Sequence, residues 1–133
     1  MAFGENVTIT NGGLGVAGRL FAGEVQDAPK WIGIGVGATG ADRTAAAADT
    51  ALSTAVESRV GTNSPTAEDT VQTDDTGRVT QSITATAPRA VDEAGLFDAS
   101  TAGNLVVSST FNVVNLGVGD SLQLTLDTQF AAA

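Results

Sequence analysis

The sequence predicts a mostly β protein, an antiparallel, jelly-roll-like β-sandwich with one short N-terminal helix in a single domain spanning residues 1–133. Three observations carry this prediction. Segments 78–87 and 122–130 alternate with the two-residue period of a strand, segment 105–114 is rich in β-branched residues, and turn residues separate the short strands. A chain of 133 residues buries one continuous core and has no material for a second.

The C-terminal half carries the clearest strand patterns. In segment 78–87, one face is expected to carry Val79, Gln81, Ile83, Ala85 and Ala87, and threonine and serine residues point the other way. Segment 105–114 is bounded by Gly103, Asn104 and Asn115, and segment 94–97 is a further short strand. In segment 122–130 we expect the residues at even positions to form one buried face, namely Leu122, Leu124, Leu126, Thr128 and Phe130.

The N-terminal half mixes periods. Residues 7–10 predict a strand, and residues 14–22 predict a helix ended by Gly23, with Leu14, Ala17, Leu20 and Phe21 on one face. Segment 31–36 predicts a strand whose alternate glycines leave one face nearly bare, which indicates close approach of another backbone. Residues 39–51 indicate a loop with a possible short helix, residues 55–60 a strand, and residues 62–75 a solvated loop or a polar hairpin.

Charge excludes two classes of partner. The formal net charge is −9 and the sequence pI is about 4.1, so the chain repels phosphate backbones and anionic lipid surfaces. We therefore expect neither nucleic acid nor a membrane as a partner. An acidic excess with a single lysine fits a surface that works at high salt, and an ordinary acidic protein is the alternative.

The residue types argue against an enzyme. Cysteine, histidine and tyrosine are absent, which removes disulfides, thiolate chemistry, histidine or cysteine zinc sites and imidazole catalysis. Lys30 is the only lysine that could activate a serine or threonine. We predict no catalytic, cofactor-binding or metal-binding residue, and no cofactor.

Two motifs have weaker functional interpretations. Gly35, Gly37 and Gly40 form a G-x-G-x-x-G pattern after a strand, but no helix pattern follows, so we interpret it as a strand exit rather than a phosphate loop. The acidic groups at 69–75 and 92–93 could offer oxygen ligands to a cation, but they lack the EF-hand spacing and are more simply explained as solvated loops.

Residues 93–97 carry a family resemblance. Their sequence, EAGLF, resembles a segment of small virion proteins of tailed phages and tailed archaeal viruses. Five other segments are similar to that family in the same order along the chain: residues 10–21, 31–40, 49–52, 104–111 and 119–130, the last beginning with GDSL at 119–122. The resemblance implies a structural protein of the virus particle.

The implied role is that of a capsid decoration or turret subunit. If the acidic surface is an adaptation to high salt, the virus infects a halophilic host. A tail, collar or baseplate subunit of the same kind of virus is the alternative. In either case the expected partner is the major capsid protein or another virion subunit, and the expected location is the virion, assembled in the host cytoplasm. A carbohydrate-binding β-sandwich module is the alternative from another class.

We also expect the chain to associate with copies of itself. Small β proteins must protect unpaired sheet edges, and this chain has little lysine to do so. Small residues at alternate positions from Gly33 to Gly37 would let backbones or neighbouring subunits come close, and oligomers of one chain are usually closed and cyclic. We predict a homotrimer or a homopentamer held by apolar and β-type contacts.

Overall fold

One helix and eight strands make up the fold. The computed structural model describes residues 6–38, 44–62, 65–69 and 72–130. In chain order the elements are β1 (Asn6–Ile9), α1 (Asn11–Phe21), β2 (Trp31–Val36), β3 (Ala55–Gly61), β4 (Thr66–Glu68), β5 (Thr76–Thr84), β6 (Arg89–Phe97), β7 (Leu105–Leu116) and β8 (Ser121–Gln129). The mostly β prediction with one short N-terminal helix is confirmed.

The strands form two antiparallel sheets. The larger sheet has the order β1-β7-β6-β2-β3 and the smaller has the order β4-β5-β8. Apolar side chains from both sheets meet in one core, which includes Ile32, Ile34, Val79, Ile83, Leu96, Phe111, Leu124 and Leu126. The architecture is that of the predicted β-sandwich.

The pairing of β5 with β8 shows why alternation was a reliable signal. The register runs without a break from Thr76 opposite Gln129 to Thr84 opposite Ser121. On the outer face the hydroxyls of Thr84 and Ser121 lie 2.7 Å apart and form a hydrogen bond across the strands. Polar residues therefore pair on the wet face, while the apolar face of both strands enters the core.

Strand β6 is longer and more deeply buried than predicted. It begins at Arg89 rather than at residue 94, and every residue from Val91 to Asp98 is buried. The strand lies in the middle of the larger sheet, so one face meets the core and the other is covered by the segment before β3, where Leu52 packs on Phe97. Burial on both faces removes the alternating pattern that identifies a half-buried strand.

Other element boundaries differ by a few residues. Helix α1 begins at Asn11, β5 ends at Thr84, and β7 continues to Leu116. Strand β4 pairs with the start of β5, so the polar hairpin was the correct alternative for this region. Residues 44–51 contain turns and no helix, and residues 39–43 lie outside the described part of the chain.

Candidate interaction surface

Helix α1 begins directly on the backbone of β7. The hydroxyl of Thr10 accepts a hydrogen bond from the amide of Gly13 at 2.9 Å and donates one to the carbonyl of Leu105. A Cβ added to Gly13 would lie 2.3 Å from the carbonyl oxygen of Val106. Glycine at position 13 therefore lets the first helical turn pack against the sheet, and the Thr10 cap fixes the direction of the helix.

The apolar stripe of α1 that the sequence suggests is the exposed one. Gly13 and Val16 are the residues of the helix that are buried. Leu14 is more than half exposed, Leu20 is partly exposed, and Phe21 is 97 % exposed. The helix thus packs with a small-residue face and leaves its larger apolar side chains outside.

An apolar groove lies between α1 and residues of both sheets. Its volume is about 920 Å³, and it is lined by residues that include Val16, Leu20, Phe21, Leu96, Val106 and Phe130. No carboxylate lines it in the described part of the chain, and Arg78 is its one charged residue. The wall is therefore nearly uncharged although the whole chain carries a net charge of −9.

The positive charge of Arg78 is neutralised within the molecule. Its Nε and Nη2 atoms donate to the two carboxylate oxygens of Asp127 at 2.8 and 2.9 Å, and Glu68 lies 3.7 Å away. The hydrogen bond from Arg78 holds the pKa of Asp127 below its usual range, and Asp127 in turn raises the pKa of Arg78. Arg78 therefore presents mainly the carbon atoms of its side chain to the groove.

A second, smaller groove continues the surface along β1. It has a volume of about 310 Å³ and shares Ile9, Thr128 and Phe130 with the first groove. We define the α1 face as the exposed apolar side chains that line these two grooves, namely Val7, Leu14, Leu20, Phe21 and Phe130. These side chains expose on the order of 500 Å² of apolar area, which is in the range of the largest and often functional patch on a monomer.

The prediction that Phe130 is buried is wrong. The side chain is 59 % exposed, because β8 ends at Gln129 and Phe130 lies past the last paired residue. Leu122, Leu124 and Leu126 are buried as predicted. The alternation in the sequence therefore continues one residue beyond the end of β8.

The glycine-rich face of β2 does not meet another backbone. A Cβ on Gly35 would lie 2.4 Å from Oε1 of Glu93, and one on Gly33 would lie 3.2 Å from the ring of Phe97. Arg59 covers the same ring, with its guanidinium carbon 3.5 Å from the ring centre. Side chains of the same chain therefore occupy the space over Gly33 and Gly35 in which another backbone was expected.

The G-x-G-x-x-G pattern falls partly outside the described residues, because Gly40 is among residues 39–43. Strand β2, which carries Gly35, is antiparallel to both of its neighbours. A dinucleotide-binding loop requires a parallel strand followed by a helix, so this setting does not match.

The acidic pair at 92–93 is structural. Both side chains are buried in β6 rather than solvated in a loop. Oδ1 of Asp92 accepts a hydrogen bond from the amide of Ala38 at 3.0 Å, and Oε1 of Glu93 accepts from the amides of Ser53 and Thr54. The two carboxylates therefore hold both ends of the segment that connects β2 to β3.

The other acidic group, at 69–75, shapes its own loop. Asp69 accepts from the amide of Asp74 at 2.7 Å, and Asp75 accepts from the amide of Gln72 at 3.1 Å. Among the described residues, no three acidic side chains gather in one place as they would around a cation.

Two further carboxylates, those of Glu57 and Asp98, fasten connecting segments. Glu57 has a φ of 61°, in the left-handed region, and accepts from the amide of Thr86 at 3.2 Å and from Nε of Arg89 at 2.9 Å. The hydrogen bond from Arg89 is the main reason that the pKa of Glu57 is lowered. The carboxylate therefore ties β3 to the connection between β5 and β6.

Asp98 fastens the turn after β6. Burial alone would raise its pKa, but hydrogen bonds from the side chain and amide of Asn104 and from Gln26 outweigh burial and lower it. The contact with Gln26 also links this turn to the segment that follows α1. Carboxylates of this chain thus act as acceptors that position backbone.

Comparisons with known proteins identify no family for this chain. In the described part of the chain, no helix has the length and apolar character needed to cross a membrane. No protein-family model, curated protein or solved structure matches the chain. The sequence and the surface described above are therefore what indicates a function for this chain.

Sequence reasoning grouped three residues of the α1 face, Leu14, Leu20 and Phe21, but it identified neither their role nor the exposure of Phe130. The spacing of Leu14, Leu20 and Phe21 predicted one face of a helix and left open what that face contacts. The available signal was Gly12 and Gly13 at the start of the helix, since glycine marks where a helix packs closely on another backbone. Gly12 and Gly13 form the part of α1 that packs closely on β7.

Proposed function

We propose that the chain is a non-enzymatic structural subunit of a tailed-virus particle. Its role would be capsid decoration or a turret, through assembly with copies of itself and with the major capsid protein or another virion subunit. The resemblance of residues 93–97 and of the other matching segments supports this class of protein.

The observation that carries the proposal is the α1 face. A chain with a net charge of −9 leaves Phe21 almost fully exposed beside a groove without a carboxylate. Exposing an apolar patch costs free energy in water unless another surface covers it. A subunit that functions inside an assembly explains such a face, because assembly removes it from water.

The use of carboxylates supports a role without catalysis. Asp92, Glu93 and Asp98 are buried, and each accepts hydrogen bonds from backbone amides of neighbouring segments. A general acid or base must instead reach a substrate in a cleft. The absence of histidine, cysteine and tyrosine from the sequence points the same way.

The head is the favoured location within the particle. Decorating subunits are short, contain one domain and occur in many copies, and a 133-residue sandwich fits that description. The acidic surface would then face a medium of high salt, where screening reduces repulsion between neighbouring copies.

Quantitative mass spectrometry of purified particles tests this proposal. Particles from cultures that produce the chain are separated into heads and tails and digested with an aspartate-specific protease, because six lysines and arginines yield few tryptic peptides. We expect the chain in the head fraction at a fixed ratio to the major capsid protein, and we expect an abundant host protein, the control, to be depleted.

Three other outcomes have distinct meanings. Peptides confined to tails would favour the tail, collar or baseplate alternative. Absence from both fractions would contradict the structural role. Absence together with micromolar binding on a glycan array would favour the carbohydrate-binding module.

A further inference from the structure

We infer that the α1 face is the surface through which copies of this chain assemble, with Phe21 of one copy inserted into the 920 Å³ groove of the next. This inference rests on the proposed structural role and names the contact that the role requires. It also replaces the glycine face of β2 as the self-association surface.

Backbone hydrogen bonds fix the end of the helix at Phe21, while its side chain is almost fully exposed. Phe21 is the last residue of α1, and the next turn is fixed because the amide of Gly23 donates to Leu20 and that of Glu24 donates to Arg19. Gly23 takes the left-handed conformation, with a φ of 75°, that commonly ends a helix. An aromatic ring on a rigid element loses little conformational freedom when it enters a partner, which makes it a good anchor.

The groove and the helix ridge offer the complementary shape. Leu14, Gly18 and Phe21 follow one another at steps of four and three, so they form one ridge of the helix. A Cβ added to Gly18 would meet no atom within 4 Å, so the ridge has an open notch beside the groove. A protruding ring and a notch on the same face allow α1 of one copy to pack against α1 of another.

The area and the charge favour a second copy as the occupant. A standard interface buries about 800 Å² per partner, of which somewhat more than half is apolar, and the α1 face exposes on the order of 500 Å². No carboxylate lines the larger groove in the described residues, and the one carboxylate that lines the smaller groove, Asp127, is paired with Arg78. Two copies, each with a net charge of −9, can therefore meet here without repulsion between unpaired like charges at the contact.

The contact also suits a closed ring. When Phe21 of one copy enters the groove of the next, the interface is heterologous. Its repetition closes into a ring if the rotation between neighbouring copies allows. Such a ring places the α1 helices around its axis and buries the α1 face on every copy. This arrangement accommodates the three or five subunits expected from the sequence.

Light scattering on size-exclusion chromatography tests the inference with the full chain across protein and salt concentrations. We expect an oligomer for the unmodified chain and a dissociation constant about tenfold to a hundredfold weaker for Phe21→Ser, since one buried ring is lost per contact. Gly18→Glu should fold at least as well, because glutamate favours a helix, and should also lose assembly. Val118→Glu is the matched control, since Val118 is 69 % exposed in the turn before β8 and about 25 Å along that strand from the groove.

A cross-link gives the geometry directly. The chain has no cysteine, so Phe21→Cys and Phe130→Cys can each be made as the sole thiol and mixed under oxidation. We expect a mixed disulfide pair from these two variants and none when Phe21→Cys is mixed with Val118→Cys. Circular dichroism confirms that every variant is folded.

The inference is overturned if the unmodified chain is monomeric throughout, with or without an apolar molecule retained in the groove. Assembly of Phe21→Ser and Gly18→Glu that matches the unmodified chain also overturns it, as does a loss shared equally by Val118→Glu. The proposed function fails separately: absence from particles leaves this contact standing, whereas presence in particles as a monomer refutes the contact alone.

Discussion

Glu93→Ala should release the segment that covers the outer face of the larger sheet. The Glu93 side chain is fully buried, and its Oε1 accepts from the amides of Ser53 and Thr54, the latter at 3.2 Å. These bonds hold Leu52 over Phe97. Removing the carboxyl group takes away the acceptor of both hydrogen bonds and opens a cavity.

The expected cost is large compared with the stability of a domain. The two lost hydrogen bonds to a buried acceptor and the lost packing together give a destabilisation of about 3–5 kcal/mol. A domain of this size has about 5–15 kcal/mol in total. Glu93→Gln keeps the side-chain length and an acceptor oxygen, so it should cost less, about 2 kcal/mol.

Urea unfolding measures these differences with two signals. Trp31 is the sole tryptophan and packs on the cluster around Leu52, so its fluorescence reports the covering segment. Far-UV circular dichroism reports the sheets. We expect the fluorescence of Glu93→Ala to change at a lower urea concentration than the dichroism.

A double-mutant cycle with Gly35→Ala identifies the cause. The added Cβ would lie 2.4 Å from Oε1 and 2.7 Å from Cγ of Glu93, so Gly35→Ala alone should cost about 1–3 kcal/mol. In the Glu93→Ala background that clash is absent, and the two changes should couple by at least about 1 kcal/mol. Gly77→Ala is the control, because its Cβ would meet nothing within 4 Å. A Glu93→Ala protein within about 0.5 kcal/mol of the unmodified chain, or additive changes in the cycle, would refute this reasoning.

Two further predictions concern acid and a buried hydroxyl. The folded pKa values of Glu57, Asp98 and Asp127 are lowered, so the stability they contribute is present above about pH 4 and is lost as the pH falls through those folded values. Thermal unfolding at a series of pH values should show this loss, with a shallower slope for Asp98→Asn; an unchanged slope would contradict the assignment to Asp98. Oγ1 of Thr128 is buried without a hydrogen-bond partner, so Thr128→Val should raise the free energy of unfolding by up to about 1 kcal/mol. Thr125→Val is the comparison, because the Thr125 hydroxyl is 2.9 Å from that of Thr80, and a destabilised Thr128→Val protein would count against the idea.

Local pattern determined much of the fold. Strands β5 and β8 each have one wet and one buried face, so their alternation identifies them and the direction of their side chains. The limits of the chemistry also follow from sequence, because a chain without histidine or cysteine lacks the side chains of many catalytic and metal sites. These properties depend on nearest neighbours or on composition, which are visible in one dimension.

Tertiary structure decided the burial of Asp92 and Glu93 and the exposure of the α1 face. A carboxylate pair is normally solvated, but here each group meets backbone amides from segments about 40 or more residues away. In α1, Gly13 approaches β7 more closely than a larger residue could, which turns Phe21 outward. Both outcomes depend on which distant segments meet, and that information belongs to the three-dimensional arrangement rather than to local periodicity.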